Sequence, residues 1–177
     1  MKGRGSGSSR AMERAIGITV HTGWGACVVV GGSPREPQIL GNKVIELLEG
    51  AERFCYHRAA EMRAASVQEW LMQVRARALA RARSELAPLL DHRVGVGALV
   101  AKDGELPDPE TALATHMRIH MAEGLFYRDV FRDAFRIPCR ITPARSLDIT
   151  AVGKLATRPW GQDQKLAALA AWQAMSR

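Results

Sequence analysis

The sequence predicts an α/β domain built on a mixed five-stranded sheet with helices on both faces. Three observations lead to this fold class. Apolar segments separated by glycine turns fill residues 15–48, helical patterns follow, and two further short strands alternate with helices. The predicted order is therefore β-β-β-α-β-α-β-α. An antiparallel meander followed by strand–helix crossovers gives a sheet of mixed direction.

The first three strands are predicted from short apolar runs. Residues 15–20 and 26–30 flank a glycine-containing turn at 21–25, which is typical of a hairpin. Residues 38–48 supply the third strand, and the glycine at 41 indicates a bulge. Backbone N–H groups around glycines also hold phosphate. The turn is therefore open to two interpretations, a phosphate-binding loop and a hairpin that simply requires glycine.

Residues 51–90 carry a helical pattern, and residues 93–101 alternate as a fourth strand should. Ser66 followed by Glu69 is typical of a capping box, which divides the helical segment in two. Asp108 as the cap begins another helix, predicted to end at Arg136. The remaining predicted elements are a strand at 139–142, a helix at 146–156, a loop at 157–161 and a last helix at 162–175.

Composition limits the class of protein. The chain has 177 residues, of which 47% are hydrophobic, as expected for one domain at 15–177 behind a flexible tail at 1–14. No apolar run reaches about 18 residues, so no membrane partner is expected. Three widely spaced cysteines, Cys27, Cys55 and Cys139, match neither a disulfide framework nor a zinc knuckle, and the expected location is the cytoplasm.

The net charge of +7 raises the question of a nucleic-acid partner. Much of this charge lies in two groups: Lys2, Arg4 and Arg10 in the tail, and Arg75, Arg77, Arg81 and Arg83 in the long helical segment. A solvated helix face and a phosphate-binding surface both remain open for the second group. Aromatic residues are not interleaved with the basic ones, so no stacking platform for bases is visible.

The strongest functional signal lies in the helix predicted from residue 108. At about 100° per residue, His116, His120, Glu123 and Tyr127 fall within an arc of roughly 60°, which we expect to face inward. Buried titratable groups must be paired or used, because unpaired burial is unfavourable. Gly124 costs about 1 kcal/mol relative to alanine, which favours the close approach of another backbone or a ligand.

Three interpretations of this helix face remain open. In the first, His116, His120 and Glu123 hold one divalent metal ion, with His21 or Asp163 as a further ligand.

In the second interpretation, His120 or Glu123 acts as an acid or base, while Tyr127 and Arg128 bind an anionic oxygen. In the third, the cluster is structural, and Glu123 accepts hydrogen bonds from His120 and Tyr127.

Residues 157–165 are also dense in functional side chains. In one interpretation, Gly161 and Asp163 simply begin the last helix, since a carboxylate complements the helix dipole. In the other, Asp163 and Lys165 face Glu123 across a site.

The order of elements resembles the ribonuclease H-like superfamily, which includes resolvases, transposases and the actin-like ATPases, over residues 15–175. The resemblance implies two divalent metal ions held by carboxylates from the first strand, the end of the fourth strand and the last helix. Asp103 and Glu105 follow the fourth strand, and Asp163 begins the last helix. The ending PWGQDQK also resembles that of a small group of bacterial proteins.

The chain departs from the family at its first strand. Thr19 lies where the family has an aspartate that bridges the metal ions. His21 lies two residues further on and faces the same side. Histidine shifts the preference of a site from magnesium towards zinc, manganese or iron.

The sequence thus predicts a domain that binds a phosphate-containing ligand or nucleic acid, with metal-assisted cleavage as an extension. The predicted catalytic residues are Glu123, His120 and Asp163; the predicted ligand-binding residues are Tyr127, Arg128, Lys165 and Thr19; and the predicted metal ligands are His116, His120, Glu123 and His21. The alternative is a non-catalytic scaffold that acts through protein contacts, including contacts within a homodimer.

Overall fold

The computed structural model describes residues 14–154 and 160–176, so residues 1–13 of the predicted tail and residues 157–159 of the predicted loop lie outside the described residues, while Arg14 begins the first strand. Five strands form one sheet: β1 (Arg14–His21), β2 (Trp24–Gly32), β3 (Pro37–Glu46), β4 (Val94–Val100) and β5 (Cys139–Thr142). Their order is β3-β2-β1-β4-β5. β2 is antiparallel to β1 and β3, whereas β4 is parallel to β1 and β5. The predicted mixed sheet is confirmed.

Helices cover both faces of the sheet, as predicted. They are α1 (Cys55–Ala60), α2 (Ala64–Leu86), α3 (Pro109–Leu113), α4 (His116–Phe135) and α5 (Gln162–Met175). α1, α2 and α4 share one hydrophobic core with the sheet, and α5 forms a second core on the opposite face. Among the described residues, no helix is both long enough and apolar enough to cross a membrane.

Three local predictions need correction. α2 has Arg63 rather than Ser66 at its N-cap. The helix beginning after Asp108 divides in two, because Thr115 adopts an extended conformation and its hydroxyl accepts the N–H of Arg118 at the start of α4. In place of a helix at 146–156, the described residues form two short 3₁₀ helices, Ala144–Ser146 and Ile149–Lys154. The cap at Asp108 is confirmed, since its carboxylate accepts the N–H of Thr111.

The contact between β1 and α5 positions the end of the first strand. Side chains alternate along β1, so that Ile18 enters the core with α4 while Ala15 enters the core with α5. A Cβ atom at Gly17 would lie 1.8 Å from the carbonyl oxygen of Ala167 on α5. Because glycine lacks this atom, the helix backbone packs directly on the strand. The first turn of α5 consequently lies beside the carboxyl end of β1.

Candidate functional site

A cleft of about 550 Å³ opens at the carboxyl ends of β1 and β4. Because these neighbouring strands are parallel, the residues that follow them come together at one edge of the sheet, where open α/β sheets commonly bind ligands. The first turn of α5 and the segment after β5 complete the walls. The polar lining residues are Thr19, His21, Lys102, Asp103, Arg145 and Asp163.

Thr19 joins the first strand to α5. Its side chain is buried, and its hydroxyl donates a hydrogen bond to the backbone carbonyl of Asp163 at 2.8 Å. The hydroxyl hydrogen therefore connects two elements of the fold at the position where the family resemblance implies a metal-bridging carboxylate.

His21 lies further along the same face of β1. Its ring stacks on Trp24, with 4.2 Å between ring centroids and 9° between planes. The Nε2 atom lies 3.1 Å from Oδ1 of Asp163 but has no hydrogen-bond partner of suitable geometry among the described residues. Asp163 thus faces His21 in the cleft. It does not face Glu123, which is not a lining residue of the cleft.

Arg128 supports the cleft from behind. Only 3% of the residue is exposed, and Nη1 donates hydrogen bonds to the carbonyls of Lys102 (3.0 Å) and Gly104 (2.7 Å). The guanidinium also pairs with Asp129 at 2.7 Å. Buried in this way, Arg128 orders the loop after β4, and the exposed Lys102 on that loop is the cation that lines the cleft.

Sequence reasoning missed Lys102 and Arg145. A usable signal was their position, since Lys102 follows β4 and Arg145 follows β5, and both strands run parallel to β1. Predicted Lys165 is half-buried on α5 and is not a lining residue of the cleft.

Tyr127 lies in the core rather than in the cleft. Its hydroxyl donates to the backbone carbonyl of Arg53 at 2.6 Å, and burial raises its pKa well above the usual range. Burial also raises the pKa of the Cys27, Cys55 and Cys139 thiols to about 12, so these cysteines stay protonated at neutral pH.

The predicted inward face of α4 is correct for Glu123, which is 1% exposed, but wrong for His116 and His120, which are exposed. α4 begins at His116, so its first turns extend past the core, as the 74% exposure of Met117 also indicates. His116 and His120 face His57 on α1, a residue that the helical spacing of α4 could not single out. We call His57, His116 and His120 the histidine cluster.

Glu123 lies beneath the histidine cluster. Its Oε1 atom accepts the backbone N–H of His57 at 3.3 Å and lies 2.9 Å from His57 Nδ1. The predicted ligand set of His116, His120, Glu123 and His21 is therefore not brought together, because His21 lines the cleft. The predicted catalytic set is divided in the same way, with Asp163 in the cleft, His120 in the cluster and Glu123 buried.

The donor atoms of the cleft do not fit the two-metal site that the resemblance implies. Two hard cations near each other require several anionic oxygens. The cleft offers the carboxylates of Asp103 and Asp163, with Thr19 at the third position. Within residues 14–154 and 160–176, only the histidine cluster brings three potential metal ligands within mutual reach.

A scan against protein-family models finds no match, and neither does a comparison with curated protein sequences. Among solved structures, the chain is similar to Thermus thermophilus RuvC in complex with a Holliday junction substrate. That similarity has 14% identity and a TM-score of 0.48, and covers 92% of this chain and 93% of that one. A second structure of Thermus RuvC is similar at 13% identity and a TM-score of 0.48, covering 92% of this chain and 93% of that one. The yeast mitochondrial Holliday junction resolvase is similar at 12% identity and a TM-score of 0.41, covering 93% of this chain and 80% of that one.

The fold is ribonuclease H-like, as the sequence resemblance implied, on the strength of the sheet order β3-β2-β1-β4-β5 and its strand directions. A fold of this kind hosts many functions, so the function has to be argued from the residues of the cleft.

Proposed function

We propose that the chain binds a nucleic acid through the cleft at the carboxyl ends of β1 and β4. The observation that carries the proposal is the meeting of Lys102, Arg145 and the first turn of α5 around one open cleft. The N–H groups of a helix N-terminus carry a partial positive charge and bind phosphate groups. Lysine and arginine add full charges that a phosphate backbone neutralises.

The rest of the charge distribution favours the cleft over the long helix. On α2, Arg75 pairs with Asp133, Arg77 with Glu52 and Arg81 with Glu85. These arginines form a solvated, paired face, which is the simpler of the two interpretations left open by the sequence. The overall charge of +7 then acts as a long-range attraction for a polyanion.

The proposal concerns binding, and it includes no metal-dependent step. Thr19 uses its hydroxyl hydrogen within the fold, and the two carboxylates of the cleft are fewer than two-metal cleavage uses. Of the pair nearest to β1, His21 is the residue that would contact a phosphate group, since the Asp163 carboxylate repels an anion.

The test measures fluorescence anisotropy with labelled duplex, single-stranded and four-way-junction DNA, and with RNA. Lys102→Glu and Arg145→Glu are compared with Arg35→Glu, which makes the same charge change in the exposed turn between β2 and β3. We expect each cleft variant to weaken binding and to lower the slope of log K against log salt by about 1. Equal losses in all three variants, or no binding by the unaltered chain, would count against the cleft.

The same samples separate binding from cleavage. With Mg²⁺ or Mn²⁺ added, we expect the labelled strands to stay intact on a denaturing gel. Strand cleavage that disappears in Asp163→Asn would show a nuclease activity beyond the proposal.

A second candidate function is self-association. Met117 and Met121 lie one turn apart on α4 and are 74% and 47% exposed. A second copy of the chain would cover this apolar surface. Sedimentation velocity is expected to show a concentration-dependent dimer that Met117→Lys disrupts.

A further inference from the structure

Three imidazole rings from two helices converge outside the cleft. His57 lies on α1, whereas His116 and His120 lie one turn apart at the start of α4. One ring nitrogen of each lies within 4.8 Å of the corresponding nitrogen of the other two. The ring centroids are 4.4, 4.6 and 5.3 Å apart. Nothing in the proposed nucleic-acid function uses this histidine cluster.

We propose that His57, His116 and His120 together bind one Zn²⁺ ion. Zinc binds imidazole nitrogen at about 2.0–2.1 Å, which places the nitrogens of a tetrahedral site about 3.4 Å apart. The Nε2 atoms of His116 and His120 are 2.9 Å apart, and the largest separation in the cluster is within 4.8 Å. Small rotations of the exposed rings on α4 bring all three nitrogens to the zinc distance.

Glu123 supplies the support that zinc-binding histidines usually have. A metal-bound imidazole typically donates its other ring N–H to a carboxylate, which fixes its tautomer and orientation. The carboxylate of Glu123 lies 2.9 Å from Nδ1 of His57, so Nδ1 carries the proton in the metal-bound form and Nε2 remains free to bind zinc. A buried carboxylate is unfavourable without a compensating charge, and a divalent cation held by His57 provides one.

The exposure of the cluster defines the type of site. The side chain of His57 is 29% exposed, and His116 and His120 are exposed. Three nitrogen ligands therefore leave the fourth position of a tetrahedral ion facing solvent, where water or an exchangeable ligand binds. The ion would also connect α1 to α4, whose contact pair His57 and Glu123 are 66 positions apart in the sequence. Zinc binding should accordingly stabilise the folded chain.

The experiment titrates the full chain, without a polyhistidine tag, with Zn²⁺ against a chromophoric chelator. Co²⁺ is added in parallel, because a tetrahedral Co²⁺ site absorbs visible light strongly. His57→Ala, His116→Ala and His120→Ala are compared with two controls, His21→Ala in the cleft and His92→Ala in the exposed turn before β4. The set covers all five histidines of the chain.

We expect one Zn²⁺ per unaltered chain, loss of stoichiometric binding in each cluster variant, and no change in the two controls. Glu123→Gln should keep the site but weaken it by about 10- to 100-fold, because the supporting carboxylate is lost. Circular dichroism without metal verifies that each variant is folded. His116→Ala and His120→Ala change exposed residues, so they keep the test decisive even if a buried substitution does not fold.

Three results would overturn the proposal: no stoichiometric zinc in the unaltered chain, unchanged affinity in folded His116→Ala and His120→Ala, or loss of zinc in His21→Ala alone. The proposal is independent of nucleic-acid binding. Cluster variants are expected to keep their affinity for DNA, and the cleft variants Lys102→Glu and Arg145→Glu are expected to keep zinc.

Discussion

The cleft and the histidine cluster are both polar regions, yet they are assembled differently. The cleft is made by strand ends and loops, and at its centre Thr19 donates to the backbone of α5. The cluster is made by side chains of two helices above the buried carboxylate of Glu123. Comparing them shows that the fold determines where a cleft forms, whereas the residues determine what it can bind. In this chain three histidine side chains converge away from the position at which the sequence resemblance implied metal ligands.

The comparison predicts that the two regions can be disabled separately. Each of the following substitutions changes the support of the cleft while leaving His57, His116 and His120 in place. Zinc affinity is therefore a common internal control, and nucleic-acid affinity is the common readout for the cleft.

The largest loss in the free energy of unfolding is expected for Arg128→Met. Methionine fills similar volume but leaves two backbone carbonyls without their donor and the Asp129 carboxylate without its buried partner. Breaking a buried ion pair typically lowers the free energy of unfolding by about 3 to 5 kcal/mol. Urea unfolding measures this loss, and hydrogen exchange should show faster opening of residues 102–104. Arg132→Met is the control, since its 43% exposed side chain should contribute only about 0 to 1 kcal/mol.

A smaller loss in Arg128→Met than in Arg132→Met would contradict the supporting role of the buried guanidinium. Loss of zinc binding in a folded Arg128→Met variant would show that the two regions are coupled.

The next largest loss in the free energy of unfolding is expected for Gly17→Ala. The added methyl group would meet the carbonyl of Ala167 at 1.8 Å, so α5 must move away from β1. Overpacking of this kind should lower the free energy of unfolding by about 2 to 3 kcal/mol. Since Asp163 is in the first turn of α5, nucleic-acid affinity should fall as well. Gly41→Ala is the matched control on β3, where nothing lies within 4 Å of the new Cβ, and equal losses in both variants would refute the close contact.

Much of the fold could be predicted because its signals are local. The short apolar runs of β1, β2 and β4 and the cap at Asp108 each depend on a few neighbouring residues. The break at Thr115 could not be read in the same way, since favourable helix residues lie on both sides of it. α3 ends and α4 begins at this point because the Thr115 hydroxyl accepts the N–H of Arg118.

The site was less predictable because it depends on contacts between distant segments. Helical spacing placed Glu123 and Tyr127 in the core but gave no sign that α4 extends beyond it at His116. The partner of Glu123 is His57, and a pair separated by 66 positions leaves no periodic pattern in the sequence. Lys102 and Arg145 were missed because single basic residues after a strand are common and gain meaning only when parallel strands bring them together.

Gly124→Ala is expected to change the free energy of unfolding least. It also separates the cleft from the histidine cluster most sharply, because Gly124 lines the cleft while its neighbour Glu123 supports the cluster. The close approach expected from the sequence is not a packing contact: a Cβ would have Lys102 Cδ at 4.0 Å as its nearest neighbour. Alanine should therefore raise the free energy of unfolding by about 1 kcal/mol through helix propensity. Its methyl group should narrow the cleft beside Lys102 and weaken nucleic-acid binding, while zinc affinity stays unchanged. Greater stability with unaltered binding would instead place the ligand away from α4, on the side of the cleft formed by Arg145 and α5.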